Sequence, residues 1–236
     1  MKNLSKEGIV YLVIDESGKY IDEFRKSYNS LRQFYSGDVT LITNLKVSID
    51  NLNIIKTESS FGDWRTMLLN KPKHLKFSIY EKSIFLDTDT IILDNFSELF
   101  KILDHFDFCA ATGPMDYNWP RIKGQELVGY LPYNTGVLGY NSSELCQNVI
   151  DDWLKFYRDR LDLNLAGNDQ TPFLESVFKH KANVCTLPNN YNLRTDFPAN
   201  LARDKIKILH GRKLNKNFIN KVNSNLKVRV VSKNDL

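Results

Sequence analysis

The sequence predicts an α/β protein with a mixed, mostly parallel sheet flanked by helices. Two observations carry that expectation. Short runs rich in β-branched and aromatic residues alternate along the chain with segments whose apolar residues recur at spacings of three and four. No repeat, low-complexity tract or Pro/Gly-rich linker breaks the alternation, so the 236 residues read as a single domain, 1–236.

The elements follow in order. Gly8–Asp15 (GIVYLVID) reads as a buried opening strand, and Tyr20–Phe34 as a helix with Tyr20, Phe24, Tyr28 and Leu31 on one stripe. Val39–Thr43 and Asn53–Lys56 are strands, and Thr66–Tyr80 is a helix that Pro72 starts or kinks. Ser83–Leu93 is strand-like on both sides of a polar interruption. Asn95 to Glu98 then offers a cap with an acid three residues on, opening a short helix. Phe106–Thr112 and Gly136–Tyr140 are strands, and a long helix runs from about Ser143 to Arg160. Asn183–Leu187 and Lys205–Leu209 are late strands. In such sheets, ligands lie beyond the carboxyl ends of the strands.

With 42% apolar and 25% charged residues, the composition is that of an ordinary globular protein. The three cysteines, Cys109, Cys146 and Cys185, are widely spaced and odd in number, which points to neither a disulfide framework nor a zinc cluster. The opening residues lack the features of a signal peptide and no apolar run is long enough to span a bilayer, so a cytoplasmic protein is expected. The net charge of +4 is uneven. Residues 201–236 carry ten lysines and arginines against Asp204 and Asp235, a local +8 that leaves −4 for the rest. This basic C-terminal segment suits phosphates or peripheral contact with the inner face of a membrane, and equally a solvated face. Nucleic acid is not expected, because no helix-turn-helix, zinc-finger or aromatic-basic pattern accompanies the charge.

The sharpest local feature is Asp87-Thr-Asp89, set between Ser83-Ile-Phe-Leu86 and Thr90-Ile-Ile-Leu93. Strand alternation puts both carboxylates on one face, roughly 7 Å apart by Cα. Two like charges among apolar residues are costly unless something neutralises them, and a hard divalent cation, Mn²⁺ or Mg²⁺, does so. The spacing alone is weak evidence, since 19 aspartates produce about 1.5 such pairs by chance. Its placement between two apolar runs is what strengthens it.

The segment from Leu69-Asn-Lys71 through Tyr80-Glu-Lys-Ser-Ile-Phe-Leu-Asp87-Thr-Asp89 to Phe100 resembles the D-x-D region of glycogenin and related retaining glycosyltransferases of family 8. Further blocks follow in that family's order: Tyr133-Asn134-Thr-Gly136-Val, Gly167-Asn-Asp169-Gln170, Leu187-Pro-Asn-Asn-Tyr191-Asn192-Leu and Ile208-Leu-His210-Gly211-Arg212. The resemblance implies a GT-A-like, nucleotide-diphospho-sugar transferase fold. It implies a metal held by Asp87, Asp89 and His210, a hexose moved from a nucleotide-diphosphate sugar with retention, and UDP as the nucleotide. By the same resemblance Asp169 and Gln170 lie nearest the transferred sugar, Lys71, Asn134 and Gly136 border it, and Gly211 with Lys213 or Lys216 meets the diphosphate. Ile14, Asp15 and Tyr20 correspond loosely to the base-binding loop, and the acceptor is a glycan or glycoconjugate.

Taken one by one, several of these residues have simpler readings. Asp169 after Gly167-Asn168 suits a helix N-cap, His210 an ordinary strand end, Asn134 a turn, and Tyr20 the core stripe of its helix. The Met115–Arg121 loop, with Tyr117 and Trp119, is a candidate acceptor wall. Two rival functions stand beside the transferase. A phosphohydrolase of the haloacid dehalogenase type also places D-x-D after an apolar strand, with Asp151-Asp152 as its later acidic pair. A non-catalytic nucleotide-sugar-binding protein would keep the fold without turnover.

Overall fold

A computed structural model describes residues 5–15, 17–58, 62–76, 79–113, 132–165, 167–195, 199–212 and 214–232. In chain order its elements are β1 (Glu7–Val13), α1 (Lys19–Leu31), β2 (Asp38–Thr43), β3 (Asn53–Lys56), α2 (Trp64–Leu68), α3 (Asn70–Leu75), β4 (Lys82–Leu86), β5 (Thr90–Ile92), α4 (Glu98–Ile102) and β6 (Phe108–Thr112). There follow β7 (Tyr133–Asn141), α5 (Glu144–Asp162), α6 (Gln170–His180), β8 (Val184–Leu187), a 3-10 turn (Asn189–Tyr191), β9 (Leu193–Arg194), β10 (Ala199–Ala202), β11 (Ile208–His210), α7 (Lys216–Lys221) and β12 (Arg229–Ser232).

Seven strands form one sheet in the order β3-β2-β1-β4-β7-β6-β8, and β7 alone runs against the others. Both faces are covered, which is why the central strands read as continuous apolar runs. On β1, Ile9, Tyr11 and Val13 join a core with Phe24, Tyr28 and Leu31 of α1 and Leu99 and Phe100 of α4. Val10, on the opposite face, packs with Phe85, Leu138, Trp153 and Phe173 under α5 and α6. A third cluster, with Leu193, Ile206, Leu209, Phe218 and Val231, supports the C-terminal part. Burial pushes the Cys109 and Cys146 thiols up to about 12 and about 11, and Cys185 is half-buried; all three are free.

Two smaller sheets lie apart from the main one: β10 with β12, and β5-β11-β9. The second matters for function. The chain leaves the main sheet at Leu86, turns, and pairs again as β5 against β11, with Thr90 opposite His210. The aspartates therefore lie in a turn between two strands and not within one. The turn is closed by the Thr90 hydroxyl donating to the Asp87 carbonyl (2.8 Å), and it is docked by the Asp87 amide donating to the Gly136 carbonyl (2.8 Å). Burial of Thr90 is completed by hydroxyl bonds running through Ser27 of α1 to Tyr11 of β1.

The helix expected over Thr66–Tyr80 is two shorter ones. Pro72 falls in the first turn of α3, where its missing N–H costs nothing, and the helix ends at Leu75. The basic segment is partly engaged internally: Lys207 with Glu98, Lys205 with Asp94, Arg212 with Glu23, and Arg229 with the Asp204 and Val222 carbonyls. Among the described residues, no helix is long and apolar enough to cross a membrane.

Candidate metal centre

Strand β4 delivers the Asp87–Asp89 turn to the carboxyl end of the sheet, and the reversed direction of β7 brings the beginning of that strand, Asn134 to Gly136, to the same edge. From the small sheet, β11 ends there at His210. One ligand atom from each of Asp87, Asp89 and His210 lies within 4.8 Å of the others. His210 Nε2 is 3.3 Å from Asp89 Oδ1 and 3.6 Å from Asp87 Oδ2. The imidazole is buried, whereas the carboxylates remain partly open to the cleft.

The tautomer of His210 follows from an unambiguous donor two residues away in the network. The Gly136 backbone N–H donates to Asn134 Oδ1 (3.0 Å), and Asn192 Nδ2 donates to the same oxygen (2.9 Å). Asn192 Oδ1 therefore faces His210 Nδ1, at 2.8 Å, and accepts its proton. Nε2 is left facing two carboxylates, to which it can present a second proton or, with a metal between them, a lone pair. A second proton there serves the contacts singly, whereas a divalent cation satisfies all three atoms together. The donor set fits a hard cation with one borderline nitrogen, and an amide fixing the ligand's other ring nitrogen is the usual outer support of such a site.

Burial alone would raise the Asp89 carboxyl. The hydrogen bond to His210 and the charges of His210, Arg212 and Arg194 outweigh it and hold Asp89 well below the ordinary carboxylate range. Space is equally constrained. A Cβ on Gly136 would sit 1.9 Å from His210 Cε1 and 2.7 Å from Asp87 Oδ2. Gly211 follows at φ 149°, and its amide donates to the Asp89 carbonyl (2.9 Å).

A second cluster adjoins the first. Lys71 Nζ lies 2.9 Å from Asp87 Oδ1, 3.4 Å from Asp169 Oδ2 and 3.3 Å from Thr135 Oγ1, and the Thr135 hydroxyl donates to Asp169 Oδ2 (2.8 Å). Burial lowers the Lys71 amine, but Asp169 and Asp87 more than offset this and hold it charged, above the usual lysine range. Asp169 is free for this contact because Asn168 caps α6 in its place, its Oδ1 accepting from the Gln170 (3.0 Å) and Thr171 (3.3 Å) amides. The Asp169 carbonyl accepts from the Trp153 indole N–H (2.7 Å), which fixes the turn on α5.

A cleft of about 410 Å³ opens over both clusters. Of the sequence candidates it is lined by Ile14, Tyr20, Lys71, Asp87, Asp89, Asn134, Gly136, Asp169, Gln170 and His210. Comparison with protein-family models and with curated protein sequences gave no match.

Asp15 is not part of the lining. Its oxygens accept from the amides of Ser17 (2.8 Å), Gly18 (3.0 Å), Tyr20 (2.7 Å) and Ile21 (3.2 Å), so it shapes the loop that presents Ile14 and Tyr20. Tyr20 sits at the cleft edge, half-buried, with the Arg212 guanidinium 5.7 Å from its ring. Lys216 begins α7 away from the cleft, and Lys213 and the Met115–Arg121 loop lie outside the described residues. Among the described residues, the lysines and arginines that line the cleft are Lys71, Arg194 and Arg212. Arg194, Arg212, Thr135 and Asn192 were not among the sequence candidates, although all but Arg194 stood in the quoted blocks.

Proposed function

We propose that the protein is a metal-dependent glycosyltransferase with a GT-A-like fold, moving a hexose from a UDP-sugar to a glycan or glycoconjugate acceptor with retention. The observation that carries this reading is the three-atom cluster of Asp87, Asp89 and His210 at the carboxyl end of the sheet, directly beside the buried Lys71–Asp169 pair. Four of the five sequence blocks resembling family 8 line this one cleft, although they are spread from Lys71 to Arg212, and the fifth supports it through Asn192 on His210.

Asp87, Asp89 and His210 would hold Mn²⁺ or Mg²⁺, which supplies Lewis-acid stabilisation to the departing diphosphate when bound. Arg212 and Arg194 offset the rest of that negative charge. Ile14 and Tyr20 border the nucleoside. Asn134 and Gly136 form the floor under the sugar, and the missing Cβ of Gly136 lets His210 and Asp87 approach beside it. Asp169 faces the anomeric carbon and stabilises positive charge as the bond to the diphosphate lengthens. Lys71 and Thr135 hold that carboxylate in orientation, and Gln170 closes the sugar pocket beside it. The acceptor hydroxyl's oxygen forms the new bond to the anomeric carbon, and its proton leaves on the released diphosphate.

The phosphohydrolase alternative loses its second acidic pair. Asp151 is bound to Lys76 (2.6 Å), and Asp152 to Lys179 and His180 (2.5 Å each), on α5 outside the cleft. The deciding assay measures release of free nucleotide diphosphate from a panel of nucleotide sugars, with and without Mn²⁺. Metal-dependent UDP release is expected; phosphate release from monoesters would support the hydrolase instead, and tight binding without release a binding protein. Asp89→Asn should abolish Mn²⁺-dependent UDP binding while leaving the circular dichroism spectrum unchanged. Unaltered affinity in that variant would remove the site.

A further inference from the structure

We propose that Trp64 is a stacking platform for the acceptor, and that the acceptor is a pyranose sugar which presents its C–H face to the indole. This rests on the transferase reading and narrows its acceptor class. Trp64 opens α2 and is 57% exposed, whereas Trp153 is fully buried in the core. An exposed indole forfeits the burial that ordinarily stabilises a ring of that size, and this one lines the cleft together with Met67 and Leu68.

The backbone that carries the ring is anchored. Asp63 accepts from the Thr66 amide (2.9 Å) at the start of α2, the Tyr157 hydroxyl of α5 donates to the Arg65 carbonyl (2.9 Å), and the Arg65 guanidinium lies 5.9 Å from the Trp64 centroid. Arg65 also reaches Asn164 (3.4 Å), on the segment that leads to Asn168, Asp169 and Gln170. Along the chain, α2 runs into α3, whose Lys71 meets Asp169. These ties put Trp64 on the Asp169 side of the metal cluster. The nucleoside side is the opposite one, where Arg212 acts on Asp89 and lies over Tyr20.

A flat apolar ring on the sugar side of such a cleft suits a partner that is itself a polar ring with one apolar face. The negative π-face of indole attracts the C–H groups of a pyranose, whose hydroxyls remain solvated at the rim. Adjacent polar side chains that line the same cleft, Asn168 and Gln170, can meet those hydroxyls.

The test is saturation-transfer NMR on the full chain with Mn²⁺ and UDP, using methyl α- and β-glucopyranoside, methyl α- and β-galactopyranoside, lactose and maltose as probes. At least one probe should bind with saturation concentrated on the C–H protons of a single ring face. Trp64→Ala should weaken it by about tenfold and erase the face selectivity, while Trp64→Phe keeps part of both. UDP affinity should be unchanged in both variants. The assignment is overturned if Trp64→Ala binds the glycosides as the wild type does, if UDP binds but no glycoside does, or if Trp64→Ala loses UDP, which would move the indole to the nucleotide side. Failure of the wild type to bind UDP with Mn²⁺ overturns the transferase reading, and this assignment with it.

Discussion

Asn192 shows how a single amide can set the chemistry of a neighbour. Its two ends are fixed by Asn134 and His210, so the imidazole keeps Nε2 for the cleft. Asn192→Leu should lower Mn²⁺ affinity by about 10–100-fold, measured by titration calorimetry, with little change in fold. Gly136→Ala acts sterically at the same place. With a Cβ 1.9 Å from His210 Cε1, it should lose metal binding and cost about 1–3 kcal/mol in urea denaturation. At this scale the sequence was partly legible. The carboxylates stood out because charge between apolar runs is rare and costly. Asn192 had no such mark, since an amide's role depends on which two groups the fold brings to its ends. Asn168 and Asp169 illustrate the same limit: either could cap α6, and only the turn's conformation decides that Asn168 does so and leaves Asp169 to Lys71.

Among elements, β1, β2 and β4 were readable because burial on both faces leaves unbroken apolar runs, and α5 because a long amphipathic stripe needs no context. Less visible were β9, β10 and β12, each two to four residues long and defined by pairing partners distant in sequence. The reversal of β7 was invisible, since direction in a sheet leaves no trace in local pattern. Helix α3 carries a pH consequence. Burial, reinforced by the charge of Lys73, lowers His74 to about 4, and its Nε2 has no hydrogen-bond partner among the described residues. The native state holds the imidazole neutral while the unfolded chain protonates near 6.5, so protonation favours unfolding. Stability should fall as pH drops from about 6.5 towards 4, by up to about 1.4 kcal/mol per pH unit from this group, and level off below. Urea midpoints at pH 7 and pH 5 should show a smaller difference in His74→Leu than in the wild type.

For the whole molecule, the ligands come from two sheets, so a cation and a diphosphate would add a brace to the ties already made through the turn at Asp87, Asn192 with Asn134 and Lys207 with Glu98. Mn²⁺ with UDP at about 100 times the dissociation constant should contribute about 2.7 kcal/mol, a rise in melting temperature of about 5–10 °C for a chain of this length. Calorimetric scans with and without both ligands check this, and Asp89→Asn should show no rise.

The pairing of Thr90 with His210 spans some 120 residues of chain. A ribosome would release both acids long before the imidazole that completes their triad exists. Until β11 emerges and zips onto β5, the nascent polypeptide has no competent pocket to fill. Any cation that needs all three residues would load only after His210 has emerged.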